Sequence, residues 1–138
     1  MKRMVISGCI AAIAAGLIAA PASAATRHFQ GSITGGGKVA FDAKFTNGKP
    51  KSVTNVFFTK VPVTCSDGPT KIQFSYTGTV TVQDRKFSYA FQSFKANFHG
   101  KFNRKGNKAN GTVSFGPNTV GAHPGCTTGG AKDWSAST

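Results

Sequence analysis

From residue 28 onward, apolar and polar side chains alternate with a period of two, the repeat of a strand with one buried face. Phe29, Gly31 and Ile33 interleave with His28, Gln30 and Ser32, and Gly35-Gly36-Gly37 ends the run. In Lys38–Thr46, Val39, Phe41, Ala43 and Phe45 share one face, and Lys38, Asp42 and Lys44 share the other. Asn47-Gly48 then marks a hairpin, because both residues tolerate the positive φ that a tight turn needs. Thr70–Val82 is the longest clean alternation, with Ile72, Phe74, Tyr76, Gly78, Val80 and Val82 on one side and Lys71, Gln73, Ser75, Thr77, Thr79 and Thr81 on the other.

Two stretches break the parity. Within Ser52–Thr64, Val53, Asn55, Phe57, Val61 and Val63 keep step, yet Val56 and Phe58 are also apolar. Either both faces are covered or the strand bends, and Pro62 favours an edge or a bend. Phe87, Tyr89 and Phe91 share a face, whereas Phe94, Ala96, Phe98, Gly100 and Phe102 have the opposite parity. A strand cannot change faces without an extra residue, so a turn or bulge is expected near Gln92-Ser93. Gln83-Asp84-Arg85 and Asn103–Lys108, centred on Gly106, are turns. Gly111, Val113 and Phe115 form another strand, a loop runs from Pro117 to Cys126, and Lys132–Ala136 closes the series.

About eight short strands at this spacing, with no helical apolar stripe, predict an all-β domain. The expected architecture is a two-layer antiparallel β-sandwich of the jelly-roll or immunoglobulin-like kind, with a closed barrel as the alternative. Composition agrees: the chain has no Glu and no Leu after Leu17, while Phe, Val, Thr, Gly and Ser dominate.

The N-terminus changes the picture of where the domain begins. Lys2 and Arg3, the apolar run Val5–Ala20 and Ala22-Ser23-Ala24 are the three parts of a cleaved export signal. The run is shorter than the about 20 residues of a membrane span and is broken by Ser7 and Gly8. Cleavage after Ala24 or Ala25 makes residues 1–24 the signal and residues 25–138 a single secreted domain. Ile6-Ser7-Gly8-Cys9 has the form of an acylation box but lies too early, so Cys9 is expected to leave with the signal.

Two cysteines then remain, Cys65 and Cys126. In an exported chain they are expected to pair, closing a loop that in the chain-entropy model stabilises by roughly 4 kcal/mol. A zinc site is the weaker alternative, since neither cysteine has a local ligand partner. Losing Lys2 and Arg3 lowers the formal charge from +13 to +11, set against Asp42, Asp67, Asp84 and Asp133 alone. Such a balance bears on partners and solubility, and the expected partner is an anionic envelope or extracellular polymer.

Three motifs occur in order. They are Val53–Phe57 leading to Pro62-Val63-Thr64-Cys65-Ser66-Asp67-Gly68, Phe98-His99-Gly100-Lys101-Phe102 followed by Ala109–Val113, and Gly125–Gly129 with Trp134 and Ala136. Together they resemble a group of small secreted single-disulfide bacterial β-domains to which no activity is assigned. The resemblance covers most of residues 27–136. It implies a β-sandwich and a Cys65–Cys126 bridge, and carries over no catalytic residue.

The chemistry-bearing residues are sparse. His28, His99 and His123, with lysine neighbours, offer a phosphodiesterase-like hydrolase only if they converge on one phosphate. His28 and His99 fall on expected outward faces, and His123 lies in a loop. The four Asp are scattered, with only Asp67 and Asp133 expected to approach, so neither a glycosidase pair nor a calcium loop is indicated. Gly35-Gly36-Gly37-Lys38 leads into a strand rather than a helix and lacks a phosphate loop's amide nest. No Gly-x-Ser-x-Gly elbow occurs, and no cofactor or metal motif is expected. A carbohydrate-binding module is a further alternative, with Phe58 and Trp134 as exposed platforms, although Trp134 suits packing over the disulfide. The Thr77, Thr79, Thr81 row suits the solvent face of a strand. Asn110-Gly111-Thr112, a glycosylation sequon, suits the start of one.

The basic residues carry one positional inference. If consecutive strands alternate in direction, the turns Asn47–Lys51, Gln83–Lys86 and Asn103–Lys108 fall at one end. Lys49, Lys51, Arg85, Lys86, Arg104, Lys105 and Lys108 would then form a cationic cluster, with the disulfide at the opposite end. The ordinary alternative is that lysines decorate turns for solubility.

Overall fold

The computed structural model describes residues 23–138. Residues 1–22 of the expected export signal, Cys9 among them, lie outside the described residues, whereas Ala24, its last expected residue, opens the first strand. The strands in chain order are β1 (Ala24–Ile33), β2 (Lys38–Thr46), β3 (Lys49–Cys65), β4 (Gly68–Tyr76), β5 (Val80–Thr81), β6 (Lys86–Phe91), β7 (Ala96–Phe102), β8 (Lys108–Ser114), β9 (Asn118–Val120), β10 (His123–Cys126) and β11 (Lys132–Ser137). Among the described residues there is no α-helix, and no helix long and apolar enough to cross a membrane.

One antiparallel ladder runs β4-β3-β2-β1-β11-β8-β7-β6, with β5 beside β4 on β3 and β9–β10 as a separate hairpin. The ladder curls into a half-barrel, so its two halves face each other as the two layers. Phe41 of β2 meets Phe87 of β6 and Phe98 of β7 with ring centroids 5.9 and 6.1 Å apart, and Phe58 of β3 meets Phe98 at 5.1 Å. At the seam between β4 and β6, ring contacts take the place of ladder hydrogen bonds: Tyr76 stacks on Tyr89 at 4.2 Å and Phe74 meets Phe91 at 6.0 Å. Each buried Phe contributes about 1.5–3 kcal/mol of transfer free energy, and each aromatic pair adds about 0.5–1.5 kcal/mol. This aromatic layer therefore dominates the stability of the domain.

The curl needs close approaches between strands. A Cβ on Gly111 of β8 would overlap the His99 carbonyl oxygen of β7 and stand 2.7 Å from Gly100 Cα. A Cβ on Gly31 of β1 would likewise overlap the Ser135 carbonyl of β11. Glycine in a strand interior marks this kind of backbone approach.

The parity breaks have a local cause. In β3, Asn55 (φ 52°) and Lys60 (φ 51°) are each an extra residue at a bulge. The inward set is therefore Val53, Val56, Phe58, Val61, Val63 and Cys65. The second break is a 3-10 turn at Gln92–Phe94, closed by Lys95 at φ 48°.

Several expectations are corrected. Phe58 is fully buried and Trp134 is 2% exposed, so neither is a surface platform. Phe57 and Phe94, expected to point inward, are each 42% exposed, because the bulge and the turn rotate them out. Trp134 packs among Phe41, Phe87 and Phe98 and donates its indole N–H to the His99 carbonyl at 3.1 Å. The Thr70–Val82 alternation is not one strand: it breaks at residues 77–79 between β4 and β5. The stretch expected as a loop before Cys126 contains the β9–β10 hairpin.

Cys65 and Cys126 form a disulfide. It pins the 115–131 segment to the end of β3, where Thr64 and Thr127 also exchange backbone hydrogen bonds of 2.9 and 3.0 Å. The segment thereby caps the end of the half-barrel opposite the β2–β3 turn.

Candidate anion-binding pole

At the other end, the basic turns touch in sequence. Asn47 (φ 51°) and Gly48 (φ 75°) turn β2 into β3. Lys51 then accepts a hydrogen bond at its carbonyl from Val82 N–H, 2.9 Å. Gln83 and Lys86 exchange backbone bonds of 2.9 and 2.8 Å around Asp84 (φ 51°) and Arg85 (φ 64°), a mirror-type hairpin turn with both central residues left-handed. The Arg85 carbonyl accepts from Phe102 N–H at 2.8 Å, which brings this turn against the next. There Asn103 Oδ1 accepts from the N–H groups of Asn107 and Lys108, each 3.1 Å, and fixes the loop that carries Arg104 and Lys105.

Arg27 completes the circuit. Its guanidinium lies 4.1 Å over the Phe45 ring and donates to the carbonyls of Gly106 (2.9 Å) and Lys105 (3.4 Å). Arg27 shares parity with Phe29, so it points inward and plugs this end. Sequence reasoning did not single it out. The only available signal was its in-register spacing from Phe29.

The structure thus brings Lys49, Lys51, Arg85, Lys86, Arg104, Lys105 and Lys108 to one end, with Cys65–Cys126 at the far end of the 17-residue β3. Lys101 joins them, and only strand register reveals it: Lys86 and Lys101 are direct cross-strand partners, both exposed, followed by Asn110 on β8. Like charges directly opposite each other cost a few tenths of a kcal/mol. Among the described residues the only ion pairs are His28–Asp42 and His123–Asp67, so no carboxylate pairs with these cations. Arg85, Lys101, Arg104, Lys108 and Asn110 line a shallow depression of about 560 Å³. It shares Lys101 and Asn110 with an open groove of about 690 Å³ that climbs the outer face past Asp84, Lys86, Ser88 and His99 to Thr112.

The histidines stand apart. His28 Nδ1 lies 2.7 Å from Asp42 Oδ1, and Asp42 Oδ2 accepts from Asn55 Nδ2 at 2.9 Å. His123 Nδ1 lies 2.8 Å from Asp67 Oδ2 beside the disulfide. His99 faces the outer groove on β7, with β8 and β11 between it and β1. Asp67 takes His123 rather than Asp133 as its partner. Thr77, Thr79 and Thr81 are exposed. Among the described residues no three His, Cys, Asp or Glu side chains gather as a metal centre would need.

The Asn55 hydrogen bond, followed by His28, holds the Asp42 carboxyl below its ordinary value. A depressed folded pKa contributes stability above the unfolded pKa, and this is lost as pH falls through the folded one. Asp42→Asn is therefore expected to be less stable than the parent near neutrality, with the gap closing between about pH 5 and pH 2. Urea unfolding across that range is the check. Tyr89 is pushed above the usual phenol range by its hydrogen bond with Tyr76 and by burial.

The fold and this pole define an all-β, single-disulfide half-barrel with one strongly basic end. No protein-family model matches the chain. Neither the curated proteins nor the solved structures hold a match to it.

Proposed function

We propose that this chain is an exported, non-catalytic β-domain whose basic pole holds an anionic polymer of the cell envelope or the extracellular space. The observation that carries the reading is the Lys86–Lys101 pair. It sits beside the three basic turns, where Asp84 is the one acidic side chain and forms no ion pair with any of these cations. Holding like charges together is unfavourable in the free protein, and a phosphate, sulfate or carboxylate chain relieves it. The depression and the outer groove share residues, so several successive anionic units of one polymer fit along them. The separation of the three histidines favours this over a His/Lys hydrolase. The scattered placement of Phe57 and Phe94 offers sugar rings no paired platform.

The test is retention on heparin and on a neutral polysaccharide at several salt concentrations. Binding to heparin is expected to fall linearly in log–log form, with a slope of roughly one per cation–anion contact. Lys101→Glu/Arg104→Glu is expected to lower affinity by at least about tenfold and to flatten the slope by about two. Salt-insensitive binding, or equal binding to the neutral polymer, would sink the reading.

A further inference from the structure

Each end of the half-barrel carries a cation on the inward parity of its strand, and the two are treated differently. At the basic pole Arg27 is satisfied by two carbonyls and a ring. At the disulfide end the corresponding residue is Lys132. It lies two positions before Trp134 on β11, shares its parity, and pairs in register with the buried Val113. Its side chain is therefore directed into the mouth rather than to the outer face, where Asp133 lies. Among the described residues Lys132 makes no side-chain hydrogen bond and no ion pair.

The mouth is a cavity of about 350 Å³. Ile33, Val61 and Val63 form an apolar floor, and Pro62, Pro69 and the Gly35-Gly36 turn form walls. Much of the surrounding polarity is already committed. Thr127 Oγ1 donates to the Phe115 carbonyl at 3.0 Å and accepts from Gly129 N–H at 3.0 Å, while Thr128 Oγ1 donates to the Gly130 carbonyl at 2.7 Å. Lys71 also lines the rim but has the outward parity of β4, so the apolar bed lies beside the Lys132 ammonium and is complementary to an apolar body with one anionic head. Small-molecule pockets run from about 300 to 1,000 Å³, so this one suits a single short chain rather than a two-chain lipid.

We propose that the disulfide-end mouth binds a short- to medium-chain carboxylate amphiphile, its chain on Ile33, Val61 and Val63 and its carboxylate on Lys132. This site is independent of the polymer-binding reading and lies at the opposite end of the domain.

Decanoate, kept below micelle-forming concentrations, is titrated into the full secreted domain by calorimetry and amide NMR. Saturable one-to-one binding is expected, with shifts clustered at residues 33–36, 61–64, 127–128 and 132. Lys132→Gln, at an exposed position, is expected to keep the fold and weaken decanoate by roughly ten- to hundredfold, the range of a charge-assisted hydrogen bond. The same variant should leave decanol binding unchanged, and Thr70→Trp should block both ligands by filling the cavity. Lys101→Glu/Arg104→Glu should leave decanoate binding intact, which separates this site from the basic pole. No saturable binding, or decanoate affinity unaltered in Lys132→Gln, overturns the proposal.

Discussion

Gly111→Ala is expected to destabilise the domain by at least about 3 kcal/mol, beyond the ordinary cost of adding a methylene to a packed core. The added Cβ would overlap the His99 carbonyl oxygen and lie 2.6 Å from its carbonyl carbon. These are backbone atoms of the neighbouring strand, so no rotamer change relieves the clash. Relief requires β7 and β8 to separate, and both carry rings of the aromatic layer. A move of β7 displaces Phe98 and Phe102, and it also disturbs the His99 carbonyl that accepts the Trp134 N–H. A domain of this size is stable by about 5–15 kcal/mol in total, so one methyl group removes a large share. Urea unfolding of Gly111→Ala beside Thr112→Ala is the check. Thr112 faces outward and is expected to cost only about 0.5 kcal/mol. Equal, small effects of the two substitutions would mean that the strands are not so closely coiled here.

The second large effect is expected from Cys65→Ala/Cys126→Ala. The bridge closes a loop of 61 positions, for which the chain-entropy model gives roughly 4 kcal/mol. In a domain of about a hundred residues this lowers the thermal midpoint by roughly 15–30 °C. The loss should also be uneven across the structure. The 115–131 segment is tied to β3 by the disulfide, by the Thr64–Thr127 exchange and by Ser66 N–H on the Pro124 carbonyl at 2.8 Å. Without the covalent tie, amides in this cap should exchange with solvent faster than those of β1 and β11, which lie in the middle of the ladder. Uniform acceleration throughout would argue that the bridge acts only on the unfolded chain. An unchanged midpoint would argue that it contributes little.

The basic pole shows how far local rules reach. Consecutive antiparallel strands reverse direction, so the ends at which Lys49, Arg85 and Arg104 sit follow from counting strands. What counting misses is everything that depends on register. Lys101 joins the cluster because β6 and β7 align it opposite Lys86. Arg27 holds the Asn103–Lys108 turn in place from 79 positions away. Neither relation leaves a mark in the residues nearby.

The amino-acid sequence by itself determined the all-β class, most of the strands with their inward faces, and the closure between Cys65 and Cys126. A period-two alternation has one low-energy burial, and Cys65 and Cys126 are the two cysteines within the alternating region. It also located the breaks near Ser52–Thr64 and Gln92-Ser93, but not their sense. Whether Phe57 or Phe58 enters the core depends on which residue adopts positive φ, and Asn55 and Lys60 do so to suit β2 and β4 on either side. Tertiary structure alone decided that β11 inserts between β1 and β8, making a single curled ladder of the two layers. It likewise placed Trp134 in the aromatic layer and Lys132 at the open mouth. Those outcomes are settled by which edges and rings fit together across distant parts of the chain, and a local pattern holds no information about its non-local neighbours.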